Sequence, residues 1–299
     1  MYRYLLFFGL LFAATGPIAA QRYLNLQVDN DLYFGTDYYY SSGIFVDYGY
    51  RRTAENTTQN STKRYARWRL GQEIYTPSRR YSTDLSSYDY PYSGYLFLQH
   101  QREYALSNNQ GLQWGLQVGV SGNASLAKAL QNMYHQWVLD LPKLAWLSAQ
   151  PQRFHGGVLA SYHKGWSLFR GVGVISKMLT ELTTHRVLAQ GQFGLLLGNA
   201  ARVPYQDFLL LQQQKSWGIY MGTRQEYRPH DFPIEGSLFD DASPFVMTSN
   251  RYRNHFEMGL ILNYQKWRLL GIFQSASKDV DLQRQNRHKY LNFTITRFL

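Results

Sequence analysis

Apolar and polar residues alternate with period two along most of this chain, the pattern of β-strands with one face against an apolar phase. The clearest run puts Leu112, Trp114, Leu116, Val118 and Val120 on one face and Gln113, Gly115, Gln117 and Gly119 on the other. Leu24, Leu26 and Val28 oppose Asn25, Gln27 and Asp29; Ile44, Val46, Tyr48 and Tyr50 oppose Gly43, Asp47, Gly49 and Arg51. Trp68, Leu70 and Ile74 oppose Arg67, Arg69, Gly71 and Glu73. Further runs lie at 192–197, 255–262 and 291–299, with strand candidates near 92–104, 153–163, 166–177, 216–228 and 267–275. One segment breaks the pattern. Ala124–Leu139 reads as a helix between strands and carries a histidine, His135.

The polar faces hold Arg, Glu, Gln, Asp and many glycines, as expected for a wetted, hydrogen-bonded lumen. An apolar outer band around a polar interior is the pattern of a transmembrane barrel. A soluble sandwich gives the same alternation with the sign reversed, so periodicity alone leaves it open. A leader, the aromatic excess, the missing cysteines and the strand pattern at 291–299 together tip the balance to the barrel. Arg3, the apolar run Leu5–Ala14 and Pro17-Ile18-Ala19-Ala20 read as a secretory signal peptide cut after Ala20, leaving 21–299 as one domain. No apolar run reaches the ~20 residues of a transmembrane helix. The polar stretch Thr53–Lys63 reads as a long loop.

Composition agrees with export into an outer membrane. Cysteine is absent, so a core or a closed sheet rather than disulfides must hold the exported chain together. Tyrosine is in excess at 25 residues, beside 17 Phe and 7 Trp, and girdles of such side chains mark the water boundaries of membrane barrels. The net charge of +11 outside the cytoplasm points to phosphorylated or anionic lipid rather than nucleic acid.

Candidate chemistry gathers in three segments: Asp29–Gly43, Gly71–Gly94, and the helix with its flanks from Gly119 to Pro142. In an up-and-down sheet these are the first, third and fifth connections, so all three meet at one rim. With the N-terminus in the periplasm, that rim is extracellular. Gln131 and His135, four residues apart, share a helix face. A histidine is the natural general base near neutral pH, although a lone surface histidine fits the same position. Asn30-Asp31 suits a hard cation such as calcium, or equally an Asx turn at a strand end. Gly119-Val120-Ser121-Gly122-Asn123 misses the G-x-S-x-G elbow at its last position, and the chain has no H-E-x-x-H and no phosphate-cradling Gly-Lys-Ser/Thr loop.

Five ordered blocks carry a resemblance. They are Asn30-Asp31; Thr36-Asp37 with Tyr40-Ser41-Ser42-Gly43; Gly71-Gln72-Glu73-Ile74-Tyr75-Thr76-Pro77; Asp89-Tyr90-Pro91-Tyr92-Ser93-Gly94; and Gly119-Val120-Ser121-Gly122 with Gln131-Asn132, His135 and Ala145-Trp146. In this order they resemble the outer-membrane lipid A 3′-O-deacylase family. The resemblance implies a monomeric, twelve-stranded transmembrane antiparallel β-barrel with a short α-helix in an extracellular loop. It would remove the 3′-linked acyl group of lipid A in lipopolysaccharide by calcium-dependent ester hydrolysis, in the outer membrane of a Gram-negative bacterium. The family's Asn-Asp pair falls on Asn30 and on Asp31, the metal position. Its Tyr-Thr pair falls on Tyr40-Ser41, its helix Gln and His on Gln131 and His135, and its lipid-binding basic residues on Arg79 or Arg80. Leu141 stands where one family member has glutamate, and a shift to the neighbouring Asp140 turns a helical side chain by about 100°. Ala145-Trp146 replaces a Gly-Trp turn. The competing reading is a barrel without catalysis: a porin, an adhesin or a structural protein.

Overall fold

The computed structural model describes residues 22–52, 63–212 and 215–299. The leader at 1–20 and nearly all of the polar loop at 53–63 lie outside the described residues. Twelve strands form the wall: β1 (Arg22–Asn30), β2 (Tyr39–Arg52), β3 (Lys63–Thr76), β4 (Ser93–Ser107), β5 (Gln110–Ser121), β6 (Phe154–Phe169), β7 (Val172–Thr183), β8 (Arg186–Gly198), β9 (Lys215–Asp231), β10 (Tyr252–Tyr264), β11 (Trp267–Ser277) and β12 (Arg287–Phe298). Each pairs antiparallel with its chain neighbours, and β1 closes on β12, with Tyr23 opposite Phe298 and Asn30 opposite Leu291. The closed all-β barrel rules out the sandwich.

Strand faces follow the alternation. On β5, Trp114, Leu116 and Val118 are exposed on the outer surface, whereas Gln113 and Gln117 are buried inside. Val46, Leu98, Val158, Ile219, Met258 and Leu269 extend the apolar outer band around the wall. Inside, charges are paired: Arg69 with Asp47 at 2.6 Å, Arg67 with Asp207 at 3.1 Å, and Arg253 with Asp231 at 2.8 Å. Buried ions need such partners, because an unpaired charge costs several kcal/mol on the order of its desolvation penalty.

The β8–β9 connection enters the lumen from the end opposite the three chemistry-bearing segments. Its Asp207 takes ion pairs from Arg67 and Lys177, Tyr205 Oη donates to Glu257, and the Phe208 ring lies 4.4 Å from that of His163. A polar lumenal cavity of about 270 Å³ remains, lined by residues such as Arg186, Arg224, Glu226 and Asn292. Two local readings change. The candidate strand 166–177 is the end of β6 and the start of β7, joined at Arg170-Gly171, where Gly171 takes φ +79°. Helical periodicity through 124–139 is interrupted: a 3₁₀ turn (Gly122–Ser125) precedes α1 (Ala127–Tyr134), and a π-helical turn (His135–Leu139) follows it. Leu126 lies between them at φ 60°, where the backbone breaks from the right-handed helix. The short helix α2 (Phe232–Glu235) lies in the β9–β10 connection.

Candidate active site on the outer wall

The wall beside the first, third and fifth connections forms a built site, and it lies outside the lumen. On β3, Arg67, Arg69 and Glu73 face inward, so Trp68, Leu70, Gln72 and Ile74 face outward. Trp68 and Leu70 are exposed, but Ile74 is buried in a cluster with Tyr92, Ala127, Leu144 and Trp146. On β4, Tyr95 points inward, so its neighbour Gly94 faces out, and a Cβ there would collide with Ala127 of α1. Gln72 donates to the Ser125 carbonyl. Helix α1 is therefore packed against the outer surface of β3 and β4, close to the rim. The residues around the lumenal cavity lie on the other side of the wall from α1.

β2 supplies the next part. Its register shifts between Tyr40 and Ser42, opposite Tyr75 and Ile74, which leaves Ser41 as the extra residue of a β-bulge. A bulge re-aims a side chain at the end of a ladder. Ser41 Oγ accepts from Gln131 Nε2 at 3.3 Å, and Gln131 Oε1 accepts from Trp146 Nε1 at 3.0 Å. Asn132 Oδ1 accepts the Leu144 N–H at 2.8 Å, tying the returning chain to α1. Gln131 and Asn132 are both buried, so α1 turns its amides inward to the wall.

His135 opens the π-helical turn and is almost wholly buried. π turns often mark functional positions because they shift a side chain off the α-helical path. Its Nε2 lies 2.8 Å from Asp37 Oδ2, and the same oxygen lies 3.2 Å from Arg80 Nε. Its Nδ1 faces Tyr81 Oη at 3.5 Å. With Nε2 turned to the Asp37 carboxylate as an ion-pair partner, Nδ1 faces Tyr81 and is the nitrogen open to take a proton.

Asn30 and Asp31 part company. Asn30 closes an Asx turn, its Oδ1 accepting from the Leu32 N–H at 2.7 Å, which leaves its amide as a donor. Asp31 is fully buried; its Oδ2 accepts the Tyr38 N–H at 3.0 Å, and its Oδ1 has no partner. Burial pushes its carboxyl up to about 8. A buried carboxylate oxygen without a partner is the kind of ligand a hard cation takes. Among the described residues, however, no three His, Cys, Asp or Glu side chains gather as a metal cluster. The titratable neighbour of Asp31 on the lumen side is His288, whose Nε2 lies 4.0 Å from Asp31 Oδ2.

The two candidate arginines also separate. Arg80 belongs to the His135–Asp37 group, whereas Arg79 is exposed and lines a separate surface depression with Ser78, Asp84 and Arg284. Asp140 is exposed at φ 54° past the π turn and Leu141 is exposed beside it, so neither supplies a carboxylate to His135. Asp37 does. Sequence reasoning gave no role to Asp37, Tyr81 or Trp146, although the topological count that put the three connections at one rim also covered Asp37 and Tyr81.

A closed barrel of even strand number, apolar outside and charged within, with a histidine–carboxylate site on its wall, defines an outer-membrane barrel protein. The chain belongs to the LpxR outer membrane protein family, whose model matches residues 5–147 and 177–298. Its place is the cell outer membrane. Among solved structures, LpxR from Salmonella typhimurium is similar over 93% of this chain and 100% of its own, at 16% identity and a TM-score of 0.72. The β domain of the Bordetella autotransporter BrkA aligns over 94% of this chain and 99% of its own, at 10% identity and a TM-score of 0.47. No curated protein matches the sequence.

Proposed function

We propose that this protein is an outer-membrane hydrolase that cleaves the 3′-linked acyl ester of lipid A at the outer leaflet. The observation that carries the reading is the buried His135, held through Nε2 by Asp37 beside Ser41 and Gln131 on the outer wall of an LpxR-family barrel. Membership alone gives the kind of protein; a histidine poised this way gives the chemistry. On this reading the barrel spans the membrane and the site's rim faces outward from the cell.

Nδ1 of His135 takes a proton from water as the water oxygen attacks the ester carbonyl carbon. The C=O electrons move onto oxygen, to which the Asn30 amide, its Oδ1 already taken by the Leu32 N–H, would donate. Collapse breaks the bond to the sugar oxygen, which leaves with the proton from the imidazolium; the products are a free fatty acid and a sugar hydroxyl. Asp37 holds the ring and balances the imidazolium that forms. Arg80, a partner of Asp37, would make a charge-assisted pair with a lipid A phosphate, and Arg79 lines the neighbouring depression. Gln131 fixes Ser41, and with it the end of β2. Asp31 is the residue that would hold calcium, which when bound supplies positive charge against the developing oxyanion.

A lumen filled by the β8–β9 connection weighs against the porin alternative. The deciding experiment is the mass spectrum of lipid A from cells expressing the wild-type chain and His135→Ala. Loss of the 3′ acyl group only with the wild type supports the proposal. Identical lipid A from wild type, His135→Ala and empty vector would overturn it and leave a non-catalytic barrel. A general base contributes ~10²–10⁴-fold, so purified His135→Ala should lose about that much rate while keeping heat-modifiable mobility.

A further inference from the structure

We propose that the outer face of α1 and its π-helical turn is a lipid-docking surface, immersed among the acyl chains of the outer leaflet and feeding a chain to His135. Three observations carry it. First, the helix lies on the outside of the wall, where it covers the outward positions Gln72, Ile74 and Gly94. Secondly, the helix side turned away from the wall is apolar and bare. Met133, Tyr134, Trp137, Val138 and Leu141 are all exposed, Trp137 to 68%. Thirdly, this surface continues an existing apolar one. On the strands beneath the helix, the outward residues further from the rim are Trp68, Leu70 and Leu98, all exposed.

Exposed apolar area of this kind is unfavourable in water, and a patch of it marks an interaction surface. The occupant follows from continuity. A patch that extends the outer band of an outer-membrane barrel meets the same medium as that band, which is lipid. The side chains suit that depth: Trp and Tyr favour the boundary between headgroup and chain, and Lys128 and Lys143 flank the segment with positive charge. The π turn links the surface to the site. His135 points to the wall and is buried, while Trp137 and Val138, two and three residues on, point away. Leu141 gains a meaning here: where one family member carries glutamate, this chain extends the apolar face. Immersion stands on the outer-membrane fold alone; delivery of a chain to His135 rests on the deacylase reading.

The chain has no cysteine, so one introduced thiol can be labelled uniquely. Nitroxide labels at Trp137→Cys and Val138→Cys are compared with Leu116→Cys in the outer band and Ser86→Cys on an exposed loop. The full barrel is reconstituted in phosphatidylethanolamine–phosphatidylglycerol vesicles. Power saturation with oxygen and with a water-soluble nickel chelate reads depth. Labels about 5–10 Å below the headgroup boundary should fall between the two controls, shallower than Leu116→Cys but with nickel access at least about fivefold below Ser86→Cys. Nickel access equal to that of Ser86→Cys at both positions overturns the immersion. Delivery is tested with Trp137→Lys. Its hydrolysis of lipid A in vesicles should fall about tenfold while a detergent-dispersed short-chain ester is cleaved at the wild-type rate. Equal rates on both substrates overturn delivery. Absence of wild-type hydrolysis on either substrate overturns the deacylase reading, whereas the label depths still decide the immersion.

Discussion

Gly94→Ala probes the seat of α1 without touching any group that does chemistry. The added methyl would sit 2.5 Å from Ser125 Oγ. It would also lie about 1.2 Å inside ordinary contact with the Ala127 Cβ. Ala127 is part of the helix and is fully buried against Ile74, so the methyl cannot be absorbed by a rotamer change. Helix or strand must move by about an ångström, at ~1–3 kcal/mol of overpacking. The wall itself is held by ladders on both sides of β4, so the helix gives way. Gln131 then leaves Ser41, already 3.3 Å away, and His135 shifts relative to Asp37 and the bulge. A misplacement of about 1 Å can cost 10²-fold in rate. We therefore expect kcat on lipid A to fall about 10²-fold, with unchanged heat-modifiable mobility and strand circular dichroism. Full activity in Gly94→Ala would refute the argument that the wall-packed helix sets the site geometry. Loss of barrel mobility would mean that the methyl disrupts β4 rather than the helix.

Other consequences are equally direct. Asp37→Asn removes the charge that holds His135 Nε2 and should lower kcat by ~10²-fold or more with little change in KM; a rise in KM alone would assign Asp37 to substrate binding instead. Chelation should abolish hydrolysis and Ca²⁺, not Zn²⁺, should restore it, because Asp31 keeps an unpartnered carboxylate oxygen, a hard ligand, and no cysteine stands in the chain; full activity of Asp31→Ala under chelator would remove the metal from the mechanism. Leu116→Arg on the outer band should cost ~2–4 kcal/mol in the unfolding free energy of the barrel in lipid, whereas no measurable cost would place Leu116 away from the bilayer midplane.

Alternation along single strands was enough to assign faces, because successive side chains of an extended backbone must point to opposite sides. It put Gln117 inside and Leu116 outside before any tertiary contact was known. Counting strands was enough to bring three loops to one rim, since antiparallel neighbours return the chain to the same end at every second turn. Pattern could not register a two-residue turn between similar strands, so the end of β6 and the start of β7 read as one segment. Helical spacing placed Gln131 and His135 on one face, but not the break at Leu126 or the π turn. Three things were decided only by folding. Helix α1 sits on the outer wall, because Gly94 leaves room for Ala127 and Ile74 offers an apolar seat. The carboxylate of His135 comes from Asp37 in a distant loop, not from the helix's own Asp140. Arg80 rather than Arg79 joins the site, because only Arg80 reaches Asp37. Periodicity is a property of one segment's own backbone and survives without its neighbours. Contacts between loops depend on how each strand's end is aimed and on which small residues permit close approach, and those are set only when the sheet closes.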